Sequence, residues 1–318
     1  MSINLVQRVD PWAETRPVSQ SRQERVQYRQ TPPPPDWMKA SRTRRGCGCG
    51  CVPLLGFVFI LALILAVFVF APIRTNVVFM GIDLAPEGSY VARSDTIMLA
   101  SILPLEPYVG LLSIPRDLWV NIPGVGEERI NTAHFFAEAN SQGTGPHALM
   151  ETIRANFGIE MQYYVRLRFE GVRGIVNAMG GVDIDLTEAM AGYPAGIHHL
   201  TGNKALAFAR HRMGGDDFTR MEQGQIILMS MLKQSLKPQN WLRLPGVVMT
   251  AIRVIDTNLP WWQWPRLGLA ALRAGPEGID RNMIGREMAT PYLTSQGASI
   301  LLPDWQQINQ MVDRIFRY

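Results

Sequence analysis

Val52 to Ala71 is a run of 20 residues without a charged or strongly polar side chain, and no other feature of the chain limits its fold so much. At about 1.5 Å of rise per residue, a helix of that length spans roughly the 30 Å of a bilayer's hydrocarbon core. The sequence therefore predicts a transmembrane helix over 52–72 rather than a wholly soluble protein. Lys39, Arg42, Arg44 and Arg45 stand just before the run and only Arg74 closely follows it. The positive-inside bias then predicts a single-pass protein of the cell membrane with a cytoplasmic N-terminus and residues 73–318 outside. A cleaved secretory signal is the competing reading. It fits poorly, because 51 residues make too long a leading region and Phe68 to Ala71 lacks the small-x-small pair of a cleavage site.

Charge supports this division. Lys and Arg number 31 against 27 Asp and Glu, for a net +4, yet the first 51 residues hold nine basic and four acidic side chains, +5, leaving −1 for the rest. A basic tail on a slightly acidic outer part argues against nucleic-acid binding and puts the positive charge at the membrane. The tail 1–51, rich in Gln, Arg and Ser with Pro32 to Pro35 in a row, is expected to be disordered. Cys47, Cys49 and Cys51 fall on its side, and the 245 residues from 74 to 318 contain no cysteine, so no disulfide framework is expected outside. Three thiols lack a fourth ligand, so a reduced cluster is expected there, with metal binding or acylation as alternatives.

In the outer part, Asn76–Ile82, Thr96–Leu103 and Tyr108–Ile114 are apolar runs of strand length bounded by Gly, Pro and Asp. A meander of three strands would gather Asp83, Arg93, Asp95, Arg116 and Asp117 at one sheet edge. Helical patterns follow at 146–156, 171–179, 203–209, 247–255 and 304–316, with strands at 163–169 and 182–186, so the class is α/β. Arg210, His211 and Arg212 are expected to be extended, with both guanidinium groups on one face. Thr219 and Glu222 form a capping-box pattern that starts a helix through about Leu236, with Arg220 in its first turn near an anion-attracting N-terminus. Trp261, Trp262 and Trp264 are expected in the core, with the bilayer interface as the alternative. The 245 residues suffice for one core and show no repeat.

No Gly-rich nucleotide loop, Gly-x-Ser-x-Gly elbow or zinc pattern is present, and adjacent His198 and His199 are expected at the surface. Carboxylates and arginines remain. Two converging carboxylates, Asp83 and Asp95, suit a hard divalent cation such as magnesium. Arg116, Arg210, Arg212 and Arg220 suit phosphate oxygens. On spacing alone the plainer reading, turn acids and surface ion pairs, stands first.

At these residues the chain resembles the LytR-CpsA-Psr family of envelope proteins, from about Asn76 to Arg317. The marks run in order: Gly81-Ile82-Asp83, Arg93-Ser94-Asp95-Thr96, Ser113-Ile114-Pro115-Arg116-Asp117, Arg129-Ile130-Asn131, Tyr163-Tyr164-Val165 with Phe169-Glu170-Gly171, Gly180-Gly181-Val182-Asp183, and Leu206-Ala207-Phe208-Ala209-Arg210-His211-Arg212, then Asp217 and Arg220. The resemblance implies a three-layer α/β sandwich with a central mixed sheet, preceded by one transmembrane helix. It implies a transferase of cell wall biogenesis that moves a glycopolymer from an undecaprenyl-pyrophosphate carrier to a cell-wall acceptor, usually peptidoglycan, with pyrophosphatase action as a side activity. By the same resemblance, Asp83 and Asp95 would hold magnesium, Asp95, Arg116 and Asp117 would be catalytic, and Arg116, Arg129, Arg210, Arg212, Arg220 and Gln225 would bind the pyrophosphate. An apolar cavity under the sheet would take the polyprenyl tail. Asp117 is either a base for the attacking hydroxyl or an orienting partner for an arginine. The family often has Lys at Arg129, and commonly Arg-Gln where this chain has Gln223-Gly224. That departure leaves a second expectation in place, a non-catalytic polyprenyl-phosphate-binding scaffold or regulator.

Overall fold

The structure, a computed structural model, describes residues 51–70, 73–83, 89–103, 106, 108–211 and 217–317. The cytoplasmic-tail expectations, Cys47 and Cys49 among them, and the placement of Arg212 lie outside the described residues. Helix α1 (Cys51–Phe70) precedes three strands, β1 (Thr75–Ile82), β2 (Ser94–Leu103) and β3 (Tyr108–Ile114). A hairpin of β4 (Trp119–Ile122) and β5 (Gly126–Arg129) leads to α2 (Asn131–Asn140), α3 (Gly145–Phe157), β6 (Tyr163–Arg168) and α4 (Phe169–Ala178). Next come β7 (Val182–Leu186), β8 (Gly196–Leu200), α5 (Gly202–Arg210) and α6 (Asp217–Leu236), then a 3-10 turn at Pro238–Arg243, α7 (Leu244–Val254) and β9 (Ile255–Thr257). The last elements are α8 (Gln263–Ala274), β10 (Ile279–Met283), the pair β11 (Ala289–Leu293) and β12 (Ser299–Pro303), and α9 (Trp305–Phe316).

The central sheet has the order β10-β3-β2-β1-β6-β9. β1, β2 and β3 form the expected antiparallel meander, β6 and β10 add in parallel to β1 and β3, and β9 caps the β6 edge antiparallel. Because side chains alternate along a strand, each strand of the meander is apolar on both faces. Val78, Met80, Leu99 and Leu112 pack with α3 and α9 on one side. Val77, Ala100 and Leu111 pack with Leu267 and Ala270 of α8 on the other. The result is a mixed sheet between two helical layers. α9 starts at Asp304, whose side chain accepts hydrogen bonds from the Gln306 and Gln307 amides.

Three expectations change. The helix expected over 247–255 ends at Val254, because Ile255 pairs with Leu167 and covers the open edge of β6. α6 already includes Asp217, so Thr219 lies inside the helix rather than at its cap. Trp261 and Trp262 are exposed rather than in the core; Trp264 donates from Nε1 to the Leu259 carbonyl at 3.2 Å.

α1 is 20 residues long without an acidic first turn or a basic last turn. Its described side chains, 54–66, are all exposed. That shorter stretch would span only about 20 Å, and counted on such residues no helix is long and apolar enough to cross a membrane. The backbone helix as a whole has the length of the sequence run.

A knot of buried charge joins β6 to α2 and β9. Arg166 Nη1 donates to Glu138 Oε2 at 2.9 Å, Nε to Asp256 Oδ2 at 2.8 Å, and Nη2 lies 2.6 Å from the same carboxylate oxygen. Its guanidinium lies 3.8 Å from the Tyr90 ring centre. Glu138 also accepts from the Gly143 and Gly145 amides. His134 Nδ1 lies 2.9 Å from the Ala92 carbonyl and Nε2 lies 3.2 Å from Arg166 Nη1. These partners assign the Nδ1–H tautomer.

Candidate active site

The site begins where β1 and β2 part. Gly81 pairs with Thr96 and Ile82 with Ser94, so Asp95 is the unpaired extra residue of a β-bulge, a device that re-aims a side chain. Asp83 is the next residue beyond β1 and is buried. Gly81 has no substitute here, since a Cβ on it would meet Phe169 Cε1 at 2.7 Å.

Arg116 follows β3 and holds the group together. Its Nη1 donates to Asp95 Oδ1 at 2.6 Å, its backbone amide donates to Asp217 Oδ2 at 3.0 Å, and its Nε lies 3.0 Å from Asp217 Oδ1 and 3.5 Å from Asp117 Oδ2. Arg129, at the end of β5, brings Nη1 to 3.6 Å from Asp117 Oδ1. In the first turn of α6, Arg220 places Nη2 4.0 Å from Asp95 Oδ1 and Nη1 3.7 Å from Asp217 Oδ1. Arg210 pairs with Asp83 and, at 2.7 Å, with Glu170 Oε1. Arg210 is the last residue of α5, not part of an extended segment.

A cavity of about 350 Å³ is lined by Asp83, Arg93, Asp95, Arg116, Asp117 and Arg129, with Asn131 and Ser299. The meander therefore brings together all five residues expected at its edge. An apolar cavity of about 230 Å³ lies against the sheet, with Phe79, Met98, Leu167, Ile175, Leu206 and Ile227 in its wall. Arg220 lines this second cavity and not the first, and its Nη2 lies 4.0 Å from Asp95 Oδ1, so a charged group close to the polar cavity stands in the wall of an apolar pocket.

Gln225 is not brought to the polar cavity. It is buried, and its Nε2 donates to Ser113 Oγ at 2.8 Å and to the Asn282 carbonyl at 2.9 Å, tying α6 to β3 and β10. Asp217, read in the sequence only as a mark of resemblance, is instead a central partner of Arg116. His198 lies in β8, Nε2 2.7 Å from the Pro194 carbonyl; exposed His199 lies 2.7 Å from Asp183.

Electrostatics differ among these groups. Burial works against the Arg116 charge, but the bond to Asp95 and the charges of Asp217, Asp117 and Asp95 outweigh it and hold its pKa above the usual arginine value. At Arg210 burial is likewise outweighed, by Glu170 and Asp83. Burial pushes Asp217 up, against the pull of Arg116. Nε of Arg116, Arg129 and Arg210 is buried without a hydrogen bond among the described residues; the 3.0 Å approach of Asp217 to Arg116 Nε is out of line for one.

The donor set is all oxygen. Among the described residues, the ion pairs of Asp95 with Arg116 and Arg220 fall on Oδ1. Two carboxylates on one cavity fit a hard divalent ion that keeps several waters. Among the described residues, no group of three or more His, Cys, Asp or Glu side chains is placed to hold a metal.

A LytR_cpsA_psr family model matches residues 73–317. The chain belongs to the LytR-CpsA-Psr family. Among curated LytR-CpsA-Psr proteins it is 34% identical over 163 residues to the polyisoprenyl-teichoic acid–peptidoglycan teichoic acid transferase TagU of Oceanobacillus iheyensis, a match that covers 49% of this chain and 50% of TagU. It is 27% identical over 195 residues to the regulatory protein MsrR of Staphylococcus aureus, covering 59% of this chain and 57% of MsrR. The chain thus matches about half the length of these relatives. The crystal structure of B. subtilis TagV superposes with a TM-score of 0.62 at 25% identity, over 78% of this chain and 98% of that one. TagT bound to LI-WTA has the same fold, with a TM-score of 0.59 at 21% identity, over 77% and 91% of the two chains. Gln223-Gly224, expected from the sequence to depart from the family pattern, has a structural setting. Gln223 is buried, and Gly224 lines the apolar cavity, where a Cβ would come no nearer than 4.0 Å to Met98 and Thr96.

Proposed function

We propose that this protein is a membrane-anchored phosphotransferase that moves a glycopolymer from an undecaprenyl-pyrophosphate carrier to a cell-wall acceptor, peptidoglycan foremost, forming a phosphodiester link. The observation that carries the reading is Arg220, which lines the apolar pocket while its Nη2 lies 4.0 Å from Oδ1 of Asp95 in the wall of the arginine-lined polar cavity. A ligand that suits both has an anionic head joined directly to a hydrocarbon tail. Teichoic acid transfer to peptidoglycan, the activity for which the TagU relative is named, supports the same class of donor and acceptor.

In this reading Arg116, Arg129, Arg210 and Arg220 bind the pyrophosphate oxygens and neutralise charge as it builds on the leaving phosphate. The acceptor hydroxyl oxygen bonds to the phosphorus attached to the sugar. The bond from that phosphorus to the bridging oxygen breaks, and undecaprenyl phosphate leaves with the electron pair. Asp83 and Asp95 would hold magnesium, which when bound adds positive charge at the phosphate oxygens. Asp117 either receives the hydroxyl proton or orients Arg116 and Arg129. Loss of turnover in Asp117→Asn with unchanged carrier affinity favours the first role; a matching loss of affinity favours the second. Arg212 belongs with the phosphate-binding arginines by family resemblance.

The anchor is α1, with the N-terminus cytoplasmic and the domain outside the cell membrane. A 20-residue backbone helix and the excess of Lys and Arg before it support this placement. Gln223 and Gly224 favour a second reading, a carrier-binding scaffold without turnover. The test is release of lipid phosphate from a polyprenyl-pyrophosphate-linked glycan by the full chain in detergent micelles, with and without magnesium and peptidoglycan fragments. Cleavage that requires Asp95 and becomes polymer transfer with acceptor present is expected. Tight carrier binding with no cleavage would replace the enzyme by the scaffold.

A further inference from the structure

α8 is apolar on two sides. Leu267, Ala270 and Ala274 face the sheet. On the opposite side Leu269 and Leu272 are exposed, and Trp262 and Trp261, the latter 82% exposed, stand in the turn that leads into the helix. Pro265, Leu269 and Leu272 fall on one helical stripe, with Trp261 in the turn before the helix and exposed Arg273 beside the leucines. A helix apolar inside and outside is out of place in water unless its outer side is covered.

Its position says what covers it. Buried Arg266 donates from Nη2 to the Ile73 carbonyl at 2.9 Å. Ile73 follows Phe70, the last residue of α1, by three positions, so the chain allows at most about 11 Å between them. The first turn of α8 is thus tied to the point where the proposed anchor leaves the bilayer.

We propose that the outer side of α8, with Trp261 and Trp262 at its head, lies in the outer interface of the membrane and seats the domain on the bilayer. The inference rests on the anchor reading of α1. Indole rings combine an apolar body with one N–H donor and are favoured at headgroup depth. A helix with leucines on the same side lies in the interface rather than across it. This seating holds the domain at the surface from which a lipid-linked donor is drawn.

The test uses the full chain in a Trp12→Phe, Trp37→Phe background, reconstituted in phosphatidylcholine–phosphatidylglycerol vesicles whose acyl chains carry bromine close to the headgroup. Bromolipid quenching of tryptophan emission is expected, and Trp261→Ala with Trp262→Ala should remove at least half of it while leaving the thermal midpoint unchanged. Alkaline carbonate extraction of the same vesicles reads the anchor separately. A chain that resists extraction but shows no quenching dependent on the pair overturns the inference and leaves the anchor standing. A chain released by carbonate overturns the anchor; pair-dependent quenching by added vesicles would then sustain the α8 surface alone, and its absence would end both. Shielding of the pair from acrylamide that follows protein concentration and not lipid assigns the face to a second copy and overturns the inference.

Discussion

Two arginine–carboxylate groups stand in this domain, and they are built to opposite ends. Around Arg166 every nitrogen of the guanidinium is engaged, its carboxylate Glu138 also accepts two backbone amides, and Arg166, Glu138 and His134 are buried while Asp256 is partly exposed. Around Arg116 the carboxylates crowd on one side, Nε of three arginines is buried without a hydrogen bond among the described residues, and a cavity opens beside them. Full satisfaction marks scaffold, where an unpaired charge would cost several kcal/mol. Partial satisfaction beside a cavity is what the proposed phosphate-binding role draws on. The knot also serves the site, because Tyr90 and the Ala92 carbonyl, both bound to it, lie just before Arg93 and Asp95.

Substitutions can break or sharpen this contrast. Asp95→Ala should lower carrier cleavage by about 10²-fold or more, a loss typical of removing a group that stabilises transition-state charge, with the thermal midpoint nearly unmoved. Normal turnover by this variant sinks the assignment of Asp95. Arg166→Met should do the reverse. Stability should fall by roughly 3–5 kcal/mol because Glu138 stays buried without its cation, and calorimetry should show a midpoint lower by several degrees or more. A midpoint within a degree of wild type would mean the knot is not structural.

The pH response offers a finer division. At Glu138 burial opposes the charge, but the Gly143 and Gly145 amides and Arg166 prevail, and its pKa falls below the usual 4.5. Its contribution to stability is present above the unfolded value and lost as pH drops through the folded one. His134 is lowered from 6.5, by burial first and then Arg166 against the opposing Ala92 bond, so uptake of a proton by the unfolded chain also weakens the fold as pH falls through 6.5. Asp217 has the opposite sign. Its pKa is raised, so any stability from its protonated form is lost as pH rises through the folded value. Melting across pH 3 to 7 should therefore show a shallower acid slope in Glu138→Gln than in wild type, and a steeper one in Asp217→Asn. The smallest effect is expected at Gly224→Ala, about 0.5–1 kcal/mol of added stability from helix propensity, with room for the methyl group.

The contrast also explains what could be read from the chain alone. Apolar runs located β1, β2 and β3, and the meander they imply brought Asp83, Arg93, Asp95, Arg116 and Asp117 to one cavity. The resemblance supplied the mixed sheet with helices on both sides. The bulge at Asp95 was hidden, since it is a property of pairing between two strands and leaves no local signal. Asp217 was missed as the partner of Arg116, from which it is separated by 101 positions. Gln225 carries an amide suited to either a phosphate or a strand edge, and only the packing of α6 against β3 and β10 distinguishes the two. The hairpin of β4 and β5 went unread because its strands are four residues each and β5 is Gly-Glu-Glu-Arg. α8 was obscured by its tryptophans, which suggest burial by their bulk.

The bulge has one more implication. Ser94 already faces Ile82 and Thr96 already faces Gly81, so a chain with Asp95 deleted would close the ladder into regular antiparallel pairing. Asp95 is a guest in the sheet, and the host is complete without it. Excision should leave the strand pairing whole while it removes the carboxylate that Arg116 binds, so that at this position the architecture does not depend on the residue the proposed chemistry needs.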